Sequence, residues 1–431
     1  MQNQTPKSLF QITNLCAGFL GIQIGFALQA GNVTRILQNY GADLTEVSLF
    51  WLIAPLSGAV VQPLIGYWSD RRMNNGTSRV PFLLIGGILS VLALLALPNA
   101  NALLNVWSPL LIGAILLVVI DISFNVSMHP LRAAISDYLP IYQQPRGFAI
   151  QTFLISIGAI LGSTLPYILH RFFSVETISS DEGIPLNVKW AFNIGASILL
   201  ITILITSKTI LKQTIEVKAI ASSQKTFYLP SIPINMWKLG VIQFFSWAGF
   251  FLIWIFMTPA VAQHIFAEYN YDPKSYSYSE SANITGVLFG CYHLSASIFS
   301  LGLPVLYRKY NIITTHLIAL LMGGFGLILV FLCTEIHQLY LPMLLLGIAW
   351  ASILASPFAL LSRLIPQSKV GLYFGVFNLF ITLPQIAIGL FSGVIIEKLF
   401  GGEAIYAIMI AAICLIIAAI SCLIYRKSLS L

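Results

Sequence analysis

The chain has 431 residues, of which 58% are hydrophobic and 9% charged, and its 22 Lys and Arg against 15 Asp and Glu give a net charge of +7. A soluble domain carries about 25% charged residues, so this composition excludes a water-exposed globular surface and fits a chain whose main solvent is lipid. Cys16, Cys291, Cys333, Cys414 and Cys422 are scattered through apolar runs with no CxxC spacing, which excludes a disulfide framework or a zinc site.

A bilayer crossing needs about 20 mostly apolar residues. Twelve stretches meet that requirement: 9–31, 46–67, 80–98, 106–130, 148–170, 190–210, 238–263, 283–306, 312–333, 338–362, 371–396 and 404–425. The first is expected to be a retained helix, because only Lys7 supplies charge ahead of it and no small-residue cleavage site follows. The prediction is an all-α integral membrane fold of two six-helix halves, residues 1–210 and 238–431, joined by a cytoplasmic loop over 211–237. Two short echoes support a repeat. "CAGF" at 16–19 returns as "WAGF" at 247–250, and "AAISDYLP" from Ala133 returns as "ALLSRLIP" from Ala359, at offsets of 231 and 226 residues.

Basic residues gather in alternate loops, and that bias sets orientation. With the N-terminus inside, Lys7, Arg71, Arg72, Arg79, Arg146, Lys208, Lys212, Lys218, Lys225, Lys238, Arg308, Lys309, Arg363, Lys369, Arg426 and Lys427 are cytoplasmic, and Arg132 lies near that face. Arg35, Arg171, Lys189, Lys274 and Lys398 remain outside. Both termini are then cytoplasmic, in a cell's inner (plasma) membrane. The positive charge is thereby accounted for by topology, and no nucleic-acid partner is expected.

Polar groups inside the spans carry the functional reading, since an ionisable side chain at membrane depth costs at least about 2.5–3.5 kcal/mol. In the fourth span, Asp121, Asn125, Met128 and Arg132 fall within about 60° of one another at 100° per residue. Asp121 and Arg132 stand about 16 Å apart along the axis at 1.5 Å per residue, too far to pair directly. Each therefore calls for another partner, a water-filled cavity or a ligand, and Asp121 becomes a candidate proton carrier. A structural Asp hydrogen-bonded to a neighbouring helix is the competing reading.

Amides recur at Gln23, Gln29, Gln62, Gln151, Asn378 and Gln385, as interhelical glue or as lining for a polar, mostly uncharged ligand. In the seventh span Gln243, Trp247, Phe250, Trp254 and Thr258 share a helical face. Such a face suits the C–H surface and hydroxyls of a sugar, and plain core packing accounts for it equally well. His293 sits near the middle of its span as a second candidate proton or ligand site. Gly66, Asp70 and Arg71, spaced Gly-x-x-x-Asp-Arg at the end of the second span, suggest ionic contacts that form and break between conformations. Small residues at Gly18, Gly21 and Gly25, and at Gly158 and Gly162, permit close helix contact.

Four stretches carry a family resemblance: "GIQIGFALQ" from Gly21, "WLIAPLSGAVVQPLIGYWSDR" from Trp51, "DISFNVSMHPLRAAISD" from Asp121 and "GLYFGVFNLFITLPQ" from Gly371. They are similar to the plant sucrose–proton symporters and their relatives, in the glycoside–pentoside–hexuronide symporter group of the major facilitator superfamily. The resemblance implies that Asp121 is the proton-coupling carboxylate and that Arg132 serves the sugar or the coupling. It also implies that Gly66, Asp70 and Arg71 form an inner gate.

The expectation is a monomeric symporter taking up a sugar (sucrose, maltose or another α-glucoside) with protons by alternating access. Its partners would be the sugar, protons and the bilayer, without cofactor or metal. Proton coupling falls to Asp121 and His293. Substrate binding falls to Gln23, Gln29, Asn125, Arg132, Gln151, Trp247, Trp254, Asn378 and Gln385. The alternatives are a proton-coupled exporter of a lipophilic compound and a non-transporting sugar sensor. Catalysis is not expected, because no nucleophile–base or metal-ligand constellation is present.

Overall fold

A backbone in lipid has no water to satisfy its N–H and C=O groups, so long apolar runs close their hydrogen bonds within the segment and become helices. The computed structural model describes residues 6–40, 53–103, 108–176, 184–212, 231–267 and 276–429. Among these residues the first half of the chain forms α1 (Leu9–Asn39), α2 (Ile53–Asn74), α3 (Val80–Ala96), α4 (Pro109–Tyr138), α5 (Gln144–Phe173) and α6 (Leu186–Leu211). The second half forms α7 (Ile234–His264), α8 (Tyr276–Tyr310), α9 (Ile312–Leu332), α10 (Tyr340–Leu364), α11 (Val370–Phe377), α12 (Leu379–Phe400) and α13 (Ile405–Leu429). No strand occurs among the described residues.

Local chemistry fixes several ends. Ser108 caps α4 by accepting the Leu111 N–H, with Pro109 in the first turn, where a missing N–H has no consequence. Asn311 turns the chain between α8 and α9 with φ of 63° and accepts the Thr314 N–H.

Eleven stretches of these helices are long and apolar enough to cross a membrane. The second predicted span is α2, whose expected start at 46–52 lies outside the described residues. Residues 213–230 of the predicted central loop, with Lys218 and Lys225, lie outside them too, as do Lys274 and the Arg35 side chain. The eleventh predicted span, 371–396, lies within the stretch Gln367–Phe400. Its helix is interrupted at Asn378, whose side-chain amide donates to the Gly58 carbonyl at 3.4 Å.

The chain forms two compact units. The first comprises Met1–Leu229 together with Ile365–Asn378, and the second comprises Pro230–Leu364 with Leu379–Leu431. In the first, α1 packs on α5 and α6, α3 on α4 and α6, and α2 on α4. In the second, α7 packs on α12 and α13, α9 on α10 and α13, and α8 on α10. Taking spans in order, these pairings match position for position. Pro130 inside α4 and Pro357 inside α10 stand 227 residues apart (357 − 130), within the window of the sequence echoes.

Phe19, Phe124, Phe148 and Phe192 fill the core of the first unit, and Phe250, Tyr292 and Phe358 that of the second. Leu92, Ile298 and Leu423 project outward from their helices and are more than half exposed, as side chains facing hydrocarbon would be. Close helix contact follows the small residues of the sequence. A methyl on Gly158 would meet the Leu20 carbonyl at 2.6 Å, and one on Gly162 the Ile24 carbonyl at 2.7 Å, so α1 and α5 touch backbone to backbone.

Candidate functional site

A continuous polar cluster runs through the first unit. The Gln29 amide on α1 donates to the Asp121 carboxylate on α4 at 2.8 Å. One turn on, Asn125 donates to the Asp121 carbonyl at 2.9 Å and to Ser57 Oγ of α2 at 3.1 Å. Its Oδ1 accepts from Gln62 at 2.6 Å. Asp121, Asn125, Gln29 and Gln62 are all 5% exposed or less. Among the described residues no cation pairs with Asp121. The Oε1 atoms of Gln29 and Gln62 find no hydrogen-bond partner there, and neither does either amide atom of fully buried Gln151 on α5. Arg132 is buried on α4, while Gln23 on α1 is half-buried.

A second site in the same unit is ionic. Asp70 near the end of α2 accepts the N–H groups of Gly371 at 2.8 Å and Leu372 at 2.7 Å. These are orphan donors in the first turn of α11, so a carboxylate some 300 residues away in sequence caps that helix and meets the positive end of its dipole. Arg79, ahead of α3, pairs with Asp70 at 2.7 Å and with Asp137 of α4 at 2.6 Å, and it donates to Ser69 Oγ at 2.6 Å. Asn74 adds a bond of 2.7 Å to the Ser368 carbonyl.

Glycines make this approach possible. A methyl on Gly66 would collide with the Gly371 carbonyl, and one on Gly375 would come within 2.6 Å of the Gln62 carbonyl. Arg71 is exposed at the end of α2; the guanidinium engaging Asp70 is that of Arg79, eight residues past the Asp-Arg pair of the sequence motif.

Burial pushes the Asp70 carboxyl up to about 6, while Arg79 pulls it down. Burial opposes the charge on Arg79, but the two carboxylates outweigh it and raise Arg79 above its ordinary value. A carboxyl raised above its hydrated value of about 3.9 binds its proton more tightly in the enclosed arrangement. Asp70 therefore favours that arrangement as pH falls through about 6 towards 4, and the contribution is lost as pH rises back through about 6.

Replacing Arg79 with Leu would leave two buried carboxylates without their cation, a change of the kind that destabilises by about 3–5 kcal/mol. The expected result is a clear fall in the thermal unfolding temperature of the purified protein, with Arg79→Lys falling less. Unchanged melting of Arg79→Leu would refute the role given to the triad.

The second unit holds an aromatic cluster. Trp247 and Trp254 of α7 and Trp350 of α10 meet edge to face, with ring centroids 5.4–6.0 Å apart. Phe250 lies 4.8 Å from Trp350, and Trp254 Nε1 donates to the Tyr292 hydroxyl at 3.3 Å. His293 stacks obliquely on Tyr292 at 4.2 Å. The indole N–H groups of Trp247 and Trp350, His293 Nδ1 and both amide atoms of Gln243 are buried without a partner among the described residues. Thr382 is buried and Gln385 half-buried on α12 of this unit, whereas Asn378 belongs to the first unit.

Sequence reasoning missed Arg79 and Asp137 as a pair, Ser57 as a partner of Asn125, and Trp350 and Tyr292. The spacing of Asp137 in the span-four motif was the one available signal.

Long apolar helices in two matched units, with buried amides and a carboxylate inside, define a multi-pass membrane transport protein. Residues 15–389 match the Major Facilitator Superfamily, and the chain belongs to that superfamily. Among curated relatives, it is 25% identical over 441 residues to "Sucrose transport protein SUC4" of Arabidopsis thaliana, covering 91% of this chain and 85% of that one. It is 26% identical over 460 residues to "Sucrose transport protein SUT2" of Oryza sativa subsp. indica, covering 91% and 88%. It is also 25% identical over 276 residues to the "General alpha-glucoside permease" of Schizosaccharomyces pombe, covering 59% and 48%. The fold is similar to that of the transporter FucP in its outward conformation, with a TM-score of 0.72 at 15% identity over 96% of this chain and 98% of FucP.

Proposed function

We propose that this protein is a proton-coupled symporter for sucrose, maltose or a related α-glucoside, working by alternating access in a cell's inner membrane. The carrying observation is the Asp121 carboxylate buried at 1% exposure beside three amides and, among the described residues, no paired cation. A carboxylate so enclosed is costly when charged, and taking up a proton relieves that cost. The amides of Gln29, Asn125 and Gln62, which already hydrogen-bond around it, are the groups that sugar hydroxyls would exchange with. Gln23, Arg132 and Gln151 extend that binding role in the first unit. Within the second unit, Trp247 and Trp254, through their stacking faces, and Gln385, through its amide, are further sugar-binding residues, and His293 is a second proton site. The names of the curated relatives support the substrate class.

Asp70, Gly66 and the α11 backbone, with Asn378 at its end, act as an inner gate that releases when the loaded protein turns inward. Arg71 serves it only from the exposed side. Both termini are cytoplasmic, and the working unit is the monomer.

The test is uptake of labelled sucrose and maltose into proteoliposomes, with and without an inward proton gradient. Gradient-driven accumulation of either sugar is expected. Failure of both with folded protein would overturn the sugar reading and favour an exporter of lipophilic cargo using the tryptophan cluster.

A further inference from the structure

Gly371 is held at both of its backbone groups. Its N–H is taken by Asp70, and its carbonyl by His129 of α4, whose Nε2 lies 2.6 Å away. A carbonyl only accepts, so the ring donates from Nε2, and Nδ1 is left as a bare acceptor. His129 is 0% exposed, and Nδ1 has no hydrogen-bond partner among the described residues. The charges acting on the ring are the guanidiniums of Arg132, on its own helix, and Arg79. The nearby carboxylates, Asp70 and Asp137, are both engaged by Arg79. A second proton on Nδ1 would thus place a cation, with no acceptor, beside two others.

We propose that His129 is a positioning residue of the latch on α11, holding the Gly371 carbonyl while neutral and favouring release of α11 once hydrated and protonated. This rests on the reading of α11 and Asp70 as a gate. When α11 leaves, water reaches the ring, Nδ1 takes a proton from solvent, and the imidazolium opposes reclosure until that proton is returned. His129 stands eight residues beyond Asp121 on the same helix, about 12 Å at 1.5 Å per residue. The proton carrier and the release point therefore share one rigid element.

The test is hydrogen–deuterium exchange of the peptide covering 370–377 in the full-length protein in nanodiscs, at pH 7.5 and 6.0, corrected for intrinsic chemical exchange. The proteins are wild type, His129→Gln, His129→Leu and Asp70→Asn. Gln can donate to the Gly371 carbonyl but does not titrate, so at pH 7.5 it should protect the peptide as wild type does, with Leu exchanging several-fold faster. Between the two pH values, the opening of wild type relative to His129→Gln should rise about fourfold, as expected of a hydrated imidazole titrating near 6.5. The opposing titration of Asp70 is common to both proteins and cancels in that ratio.

A constant ratio would overturn the proton response, and protection in His129→Leu equal to wild type would overturn the positioning role. If the Leu variant fails to fold, the ratio for the Gln variant still decides the proton response. Unchanged exchange in Asp70→Asn would instead defeat the gate reading itself, whereas failure of the His129 variants alone leaves the gate standing.

Discussion

Asp121→Asn should abolish gradient-driven sugar accumulation while leaving the protein folded. Asn preserves the size of the side chain and still accepts the Gln29 N–H, now 2.8 Å from the carboxylate, so the packing of α1 on α4 is retained. Only the ability to carry a proton is lost. A membrane potential of about 100 mV is worth about 2.3 kcal/mol per charge, or nearly fifty-fold accumulation at tenfold per 1.4 kcal/mol. The variant's accumulation ratio is therefore expected to fall from tens towards one. Measuring steady-state sugar inside proteoliposomes under an imposed potential decides it, with sugar exchange at equal concentrations as the control for a working binding site. Accumulation that survives would move the coupling to another group, His293 being next.

The second large effect is expected at Gly66. Its Cα hydrogen faces the Gly371 carbonyl, and even a methyl has no room there. Gly66→Ala must push α11 away from α2 or bend one of them, and overpacking of this kind costs about 1–3 kcal/mol. By the same tenfold rule, the opening of the 370–377 segment should rise from about fivefold to a hundredfold or more. Gly290→Ala is the matched control: it makes the same chemical change on α8, where nothing lies within 4 Å of the added methyl. Faster exchange of the 370–377 peptide in Gly66→Ala alone is the expected pattern. Equal behaviour of the two variants would mean that the close approach does not hold the segment in place.

Much of this was legible in the sequence, and the limit has a physical cause. Spans are set by length and hydropathy, which local residues carry, so the helices emerge near the stretches predicted. Asp121 and Asn125 stood out because charge and amide are rare at membrane depth. Trp350 and Tyr292 did not, because a lipid-facing surface is as apolar as a core. Alternation of polar and apolar residues, which reveals the inner face of a soluble helix, is erased there. Arg79 was disguised differently. It sits among basic residues that topology alone explains, and only the folded chain shows it between Asp70 and Asp137. Arg71, adjacent to the motif aspartate, was the natural reading from spacing and is exposed.

The stretch Ile365–Asn378 belongs to the first unit although most of its sequence neighbours belong to the second. The polypeptide therefore passes between the units three times, at 229/230, 364/365 and 378/379. A gene fragment ending in the central loop would encode six helices but not a finished body. Asp70 would lack the two amide donors it now caps, and His129 the carbonyl it now holds. Polar groups stranded in that way are costly in a dry interior. Split versions of this protein should thus be designed as overlapping pieces, with the 365–378 strap supplied to the amino-terminal fragment.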